Sequence, residues 1–255
     1  MKLVLERIIH QPGQPLVCHL GDRRLQPGYD IRLRATGRLF CIACGRATRR
    51  TYRGGLCFPC SQTLARADSC IVRPHTCHFH RGTCREPDWG RQHCFQPHVV
   101  YLALTSHLKV GVTAARRTFA RWSEQGAGQA VVLAECPDRR QAGLIEHALS
   151  RHFSDRTNWR ALLAGGRPRV DWQAEWWRAA RLVPRQLQHC LVEPAPPQAL
   201  THPVDSYPAR PRSQHLEKQP LLAGRLTGIL GQYLLLGDVV LNVRRHAGHE
   251  VEIEP

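Results

Sequence analysis

Eight of the chain's eleven cysteines fall between residues 41 and 94, and their spacing is where chemistry is most legible. Cys41-x2-Cys44 is followed, after twelve residues, by Cys57-x2-Cys60. Each doublet lets two thiolates leave one tight turn toward the same tetrahedral ion, and Gly45 gives the first turn its backbone freedom. Zn2+ is the ion that such a four-thiolate set selects. With four protein ligands no position remains for water, so the site reads as structural. Cys70, Cys77, Cys84 and Cys94 offer a second all-thiolate set at looser spacing, in which His78 or His80 is placed to replace one sulfur. The cofactor expectation is therefore one or two structural Zn2+. Cys18, Cys136 and Cys190 stand alone and read as buried core thiols.

The charge around these cysteines points to an anionic partner. The 255 residues carry 36 Lys+Arg against 20 Asp+Glu, a formal charge of +16. Residues 1–98 hold net +10, residues 99–193 net +6 and residues 194–255 none. Between Ile31 and Ala67 there are eight Arg and no acidic residue. Such a one-sign stretch attracts phosphate, which Arg grips bidentately. Arg46, Arg49, Arg50 and Arg53, on the stretch between the two doublets, and Arg116 and Arg117 further on are the candidate nucleic-acid contacts, with DNA or RNA as the partner. The longest unbroken apolar run, Val99 to Leu104, is far short of the ~20 residues a spanning helix needs, which argues against a membrane protein. Glu6 and Arg7 stand where a signal peptide needs apolar residues, so the expected location is cytoplasmic, where thiols stay reduced and favour metal over disulfides.

The elements that must position these residues give an α+β chain in five segments. Residues 1–40 form a β-rich piece, with short apolar runs at Leu3-Val4-Leu5 and Leu16-Val17-Cys18. Residues 41–97 are the Cys/His module, in which a cysteine knuckle, a hairpin and a second doublet opening a helix resemble a treble-clef finger. Residues 98–193 read strand, strand, helix, strand, helix. His98–Leu104 and Leu108–Thr113 should form a hairpin, and Ala115–Gln125 a helix stopped by Gly126. Ala130–Ala134 is the third strand, and Pro137-Asp138 opens a helix with Ala142, Ile145, Ala148, Leu149 and His152 at core spacing. Six prolines between Pro194 and Ser213 predict an extended linker or meandering loop. In the β-rich tail, 214–255, Gly237-Asp238 joins two apolar runs as a hairpin.

Glu146 lies at the margin of its helix's apolar face, and from position alone it faces solvent. The order of elements over residues 98–155 nevertheless resembles the GIY-YIG nuclease superfamily. Val99-Val100-Tyr101 stands at its first motif and Lys109-Val110-Gly111 at its second, with Arg121 and Glu146 on the two following helices. The resemblance implies that Tyr101 assists a nucleophilic water, that Arg121 steadies the phosphate, and that Glu146 holds one divalent ion, Mg2+ or Mn2+. The second motif's leading tyrosine is Lys109 here, which offers a charge where that family has a phenol. Across residues 41–160 the chain is also similar to an uncharacterised bacterial family of unknown function. That similarity rests on Cys41-Ile42-Ala43-Cys44-Gly45, Gly82-Thr83-Cys84-Arg85-Glu86-Pro87, Arg121-Trp122 with Gln125-Gly126-Ala127, and Thr157-Asn158-Trp159-Arg160.

The functional expectation is a zinc-stabilised nucleic-acid-binding protein that the resemblance extends to a divalent-metal-dependent endonuclease. The alternatives are a binding protein without catalysis and a protein-interaction adaptor. Asp155–Arg160, a polar run with one Trp, either contacts phosphate or a base or caps a turn. Trp172 and Trp176, four apart on one helix face, read as core.

Overall fold

The long apolar run at residue 98 explains much of the architecture. A computed structural model describes residues 2–154 and 157–254. The first forty residues give β1 (Lys2–Val4), β2 (Ile8–Gln11), β3 (Val17–Leu20), β4 (Arg23–Leu25) and β5 (Asp30–Phe40). The cysteine-rich stretch holds β6 (Ala47–Thr48), α1 (Phe58–Thr63) and α2 (Pro87–Cys94), with short 3-10 turns between the helices. Next come β7 (His98–Leu104), β8 (Leu108–Ala114), α3 (Thr118–Glu124), β9 (Gln129–Cys136), α4 (Arg139–Leu149), α5 (Trp159–Leu163) and α6 (Trp172–Leu182). The remainder gives β10 (Gln198–Ala199), β11 (Arg212–Ser213), β12 (Leu221–Arg225), β13 (Gly228–Leu230), β14 (Tyr233–Leu236), β15 (Val239–Asn242) and β16 (His249–Glu254). No helix among the described residues is long and apolar enough to cross a membrane.

Every residue of β7 is buried, as a strand covered on both faces must be. It sits inside the sheet β10-β9-β7-β8, antiparallel to both neighbours. Val99, Tyr101 and Ala103 face a core shared with Leu5, Ile8, Ile229 and Leu241. Val100 and Leu102 face the opposite core, beside Ile145, Leu149 and Trp176 from α4 and α6. Asp138 caps α4 by accepting from the Gln141 N–H at 2.9 Å, and Asp171 caps α6 in the same way at 3.0 Å. Trp176 is core, and its indole donates to the Val132 carbonyl at 3.1 Å. Cys18, Cys136 and Cys190 are buried.

Several expectations need correction. Ala115–Arg117 is a 3-10 turn, so α3 proper starts only at Thr118. His152 is exposed and Phe153 takes the core place, because α4 ends at Leu149 and the helical period stops with it. The terminal β-rich pieces, far apart in sequence, join in one sheet ordered β1-β16-β5-β12, with β6 paired to β5. The proline-rich segment is bonded into the body: β10 pairs with β9, β11 with β15, and Leu200 is buried in the core. Its prolines prevent a continuous ladder, but two-residue contacts need few N–H donors.

Candidate functional site

The first cysteine set is positioned by the end of β5 and the start of α1. Gly45 takes the left-handed conformation, φ +69°, that the knuckle turn requires. Cys57 is the N-cap of α1 and Cys60 lies in its first turn, behind Pro59 near the helix start. The sulfurs of Cys41, Cys44, Cys57 and Cys60 all lie within 4.8 Å of one another. Burial would raise Cys41, but backbone N–H groups of Cys57, Cys44 and Ala43 outweigh it and bring the thiol down to about 6. Cys60, bonded to Cys57 and partly desolvated, is pushed up to about 12. The two shifts run in opposite directions because thiolates crowded into so small a space repel one another, and a dication is what lets all four ionise. The set is able to hold a metal ion such as zinc.

Cys70, Cys77, Cys84 and Cys94 line one cavity of about 20 Å³ with Phe79 and Trp89, but unlike the first set their four sulfurs do not all lie within 4.8 Å of one another. That volume suits a single water-sized particle or ion. Burial pushes Cys70 up to about 12 and raises Cys94. Ligand atoms of Asp68, Cys70 and His78 lie within 4.8 Å of one another, so His78 reaches this cavity, whereas His80 is exposed. Asp68 already pairs with Arg85 at 2.9 Å and caps the turn at Cys70.

This second module is docked on α4. A Cβ on Gly143 would stand 2.4 Å from Pro74 Cβ, so the helix approaches the module as closely as glycine permits. The His75 and His147 rings stack at 3.9 Å, and Arg139 donates to the Ile71 carbonyl at 2.6 Å.

Between α4, that module and the outer edge of β8 lies a pocket of about 450 Å³. Lys109, Arg121 and Glu146 all line it, together with Arg117, Arg139 and Arg244. Among the described residues, five cationic side chains against two carboxylates, Glu124 and Glu146, leave the lining at +3. Glu124, whose side chain is only 7% exposed, is held by Arg117 at 2.9 Å, Arg7 at 3.4 Å and Arg244 at 3.5 Å. Burial lowers Arg244 and Arg139, and nearby sulfurs of Cys94 and Cys70 oppose the shift at Arg139. The Val110 N–H donates outward to the Ser154 carbonyl at 3.1 Å, and strand alternation turns the Val112 N–H to the same edge.

Tyr101 is not on the pocket wall. It is fully buried and packs its ring across Gly111, its partner on β8. With the Gln125 amide oriented to satisfy both neighbours, its oxygen accepts from the Tyr101 hydroxyl at 2.9 Å and from Arg121 Nε at 2.6 Å. The phenol therefore reaches the pocket through Gln125, which lines it. Glu146, assigned to solvent from its place on the helix, instead lines the pocket, because Gly143 lets the module close over that side of α4.

Arg46, Arg49 and Arg50 are exposed on the knuckle and hairpin, whereas Arg53 donates to the Ala67 carbonyl. Arg116 bonds Gln96 at 3.0 Å. Asn158 caps α5, accepting from the Arg160 and Ala161 N–H groups, which fits the capping reading; Asp155 and Arg156 lie outside the described residues. Sequence reasoning missed Arg139 and Arg244. Arg139 had a signal: a cation in the first turn of a helix opposes the macrodipole, so it is placed there for another partner. Arg244, in a segment of no net charge, had none.

None of the curated proteins and none of the solved structures matches the chain. Residues 28–251 match a family described as protein of unknown function, DUF2797. With the match running from just before β5 into β16, the chain belongs to the DUF2797 family.

Proposed function

We propose that the protein binds nucleic acid through the phosphate backbone, with the cationic pocket at the β8 edge as its principal seat. The observation that carries this reading is the convergence of Lys109, Arg117, Arg121, Arg139 and Arg244 from separate elements onto one pocket. Among the described residues the lining keeps an excess of cations over Glu124 and Glu146, and phosphate is the anion that Arg forks and an outward backbone N–H fit best. Zinc on Cys41, Cys44, Cys57 and Cys60 fits the donor set and would fix the knuckle that carries Arg46, Arg49 and Arg50. The knuckle, hairpin and capped helix support the treble-clef reading. A second zinc among Cys70, Cys77, Cys84 and Cys94 would stiffen the module that walls the pocket, and its thiolate charge would balance the half-buried Arg139.

A second reading is phosphodiester cleavage, favoured because Lys109, Arg121 and Glu146 line the same pocket in a β–β–α–β–α segment. There Glu146 would hold one Mg2+ or Mn2+, which neutralises charge developing on the phosphate. Arg121, oriented by Gln125, would grip the phosphate, and Lys109 would supply charge where the GIY-YIG superfamily has a phenol. Tyr101 departs from the role implied by resemblance, since its hydroxyl is spent on Gln125.

The test is fluorescence anisotropy and gel assay of the full-length protein on a panel of DNA and RNA, with Mg2+, Mn2+ or EDTA. Binding in EDTA without cleavage in either metal supports the binding protein. Metal-dependent cleavage lost in Glu146→Gln with binding retained supports the nuclease. Absence of polynucleotide binding at low salt rejects both.

A further inference from the structure

A separate cluster in the C-terminal part of the chain has the donors and the support of a metal centre. His215 and Glu217 flank a turn whose Lys218 and Gln219 N–H groups both donate to the His215 carbonyl, at 3.0 and 2.9 Å. His246 closes the 3-10 turn Val243–His246, and His249 opens β16. Ligand atoms of His215, Glu217 and His246 lie within 4.8 Å of one another. Glu217 turns one oxygen toward His249 Nε2 at 3.1 Å and the other toward His246 Nε2 at 3.7 Å.

The ring tautomers are set by the backbone. His246 Nδ1 donates to the Asn242 carbonyl at 2.9 Å, and His249 Nδ1 donates to the His246 carbonyl at 3.0 Å. A carbonyl oxygen only accepts, so each Nδ1 carries a proton and Nε2 is the ring atom left on the Glu217 side. A backbone carbonyl behind each imidazole is the arrangement that fixes metal-ligating histidines. At 3.1 Å, Nε2 and a carboxylate oxygen attract across a shared cation, either a proton on the ring or a metal ion. His249 is 7% exposed, and its Nε2 is buried with no hydrogen-bond partner. The frame is rigid: Leu5 donates to the His249 carbonyl and Gly248 to the Leu5 carbonyl, at 2.8 and 2.7 Å. His246 Nε2 now accepts one long bond, 3.2 Å, from the Leu216 N–H, which an ion would displace.

We propose that His215, Glu217, His246 and His249 form a transition-metal site with no thiolate ligand, distinct from the two cysteine clusters. Three imidazoles and one carboxylate suit Zn2+ or its spectroscopic substitute Co2+. Glu217 is exposed, which gives the ion its way in.

The full-length protein, with its cysteine sites loaded with Zn2+ as purified, is titrated with Co2+ alone. The expected result is one further equivalent, with visible d–d absorption and without the near-ultraviolet band of thiolate-to-cobalt charge transfer. His215 and Glu217 lie toward the surface, so the double variant His215→Ala/Glu217→Ala should keep its circular dichroism and lose that equivalent. His249→Ala should weaken Co2+ binding by at least about tenfold. A Co2+ uptake in the double variant equal to that of the parent overturns the proposal, as does a parent in which every bound Co2+ shows the thiolate band or none binds.

Discussion

Gly143→Ala tests whether α4 and the second cysteine module are packed as tightly as the pocket requires. In an exposed helix interior this change is stabilising by about 1 kcal/mol, because alanine restricts the unfolded chain. Here the added Cβ would stand 2.4 Å from Pro74 Cβ, 2.6 Å from the His75 nitrogen and 2.7 Å from the Pro74 carbonyl carbon. Two of those atoms are backbone and have no rotamer to escape into. Overpacking costs about 1–3 kcal/mol, and contacts to backbone below 3 Å put this one at about 2–3, so the helix gain is outweighed and the net loss is about 1–2 kcal/mol. For a chain of this size that corresponds to a fall in Tm of roughly 2–8 °C. The module can relieve the clash only by backing away from α4, which stretches the His75–His147 stack and the Arg139–Ile71 bond and withdraws Ile71, Val72 and Pro74 from the pocket wall. Polynucleotide affinity should therefore fall together with Tm. Gly166→Ala, where a Cβ meets nothing within 4 Å, is the control and should be close to neutral. Calorimetry and anisotropy on the two variants decide the matter: a Tm for Gly143→Ala at or above that of the parent refutes the packing argument.

Three further outcomes are expected. Tyr101→Phe removes the hydroxyl held by Gln125 and should cost about 1 kcal/mol of stability in urea unfolding, with polynucleotide affinity unchanged; a loss of binding as large as that of Arg121→Gln would put the phenol in the pocket after all. Burial holds His202 down to about 3 from 6.5, so the unfolded chain takes up a proton near pH 6.5 that the native state refuses until about pH 3. Stability should therefore be full above pH 6.5 and fall as the pH drops below it, by about 1.4 kcal/mol per pH unit for this residue; a His202→Gln variant with an undiminished slope would contradict this. Cys57→Ser should release one zinc by elemental analysis and open the 41–60 segment to trypsin at Arg46, Arg49 and Arg50, since a structural zinc supplies folding energy directly; unchanged metal content would show that the four thiols are not its ligands.

How much of this was legible in the sequence depended on the range of the interaction. The doublets at Cys41/Cys44 and Cys57/Cys60 are local devices, and their convergence follows from two tight turns and one helix start. The β7–β8 hairpin was equally readable, from a continuous apolar run and a three-residue connection. What was not readable is what closes over these elements from far away. Leu3 and Val251 face each other across β1 and β16 because of sheet pairing that no local pattern encodes. Glu146 reads as solvent-facing until Gly143 is known to seat Pro74, and Arg244 joins Arg121 only because the C-terminal turn packs beside α3. Tyr101 illustrates the opposite error: its position in a motif suggests access, while the all-buried pattern of β7 encloses it and leaves Gln125 as its outlet.

The central claim, that phosphate is gripped at the β8 edge, is tested most directly by the salt dependence of binding to a short DNA duplex. The slope of log K against log salt counts the phosphates neutralised. If Arg121 and Arg244 each hold one, Arg121→Gln/Arg244→Gln should reduce the slope's magnitude by about 1.8 on B-form DNA with metal content equal to the parent's. An unchanged slope in that variant, with a fall only in Arg46→Gln/Arg49→Gln/Arg50→Gln, would move the interface to the zinc knuckle and contradict the account.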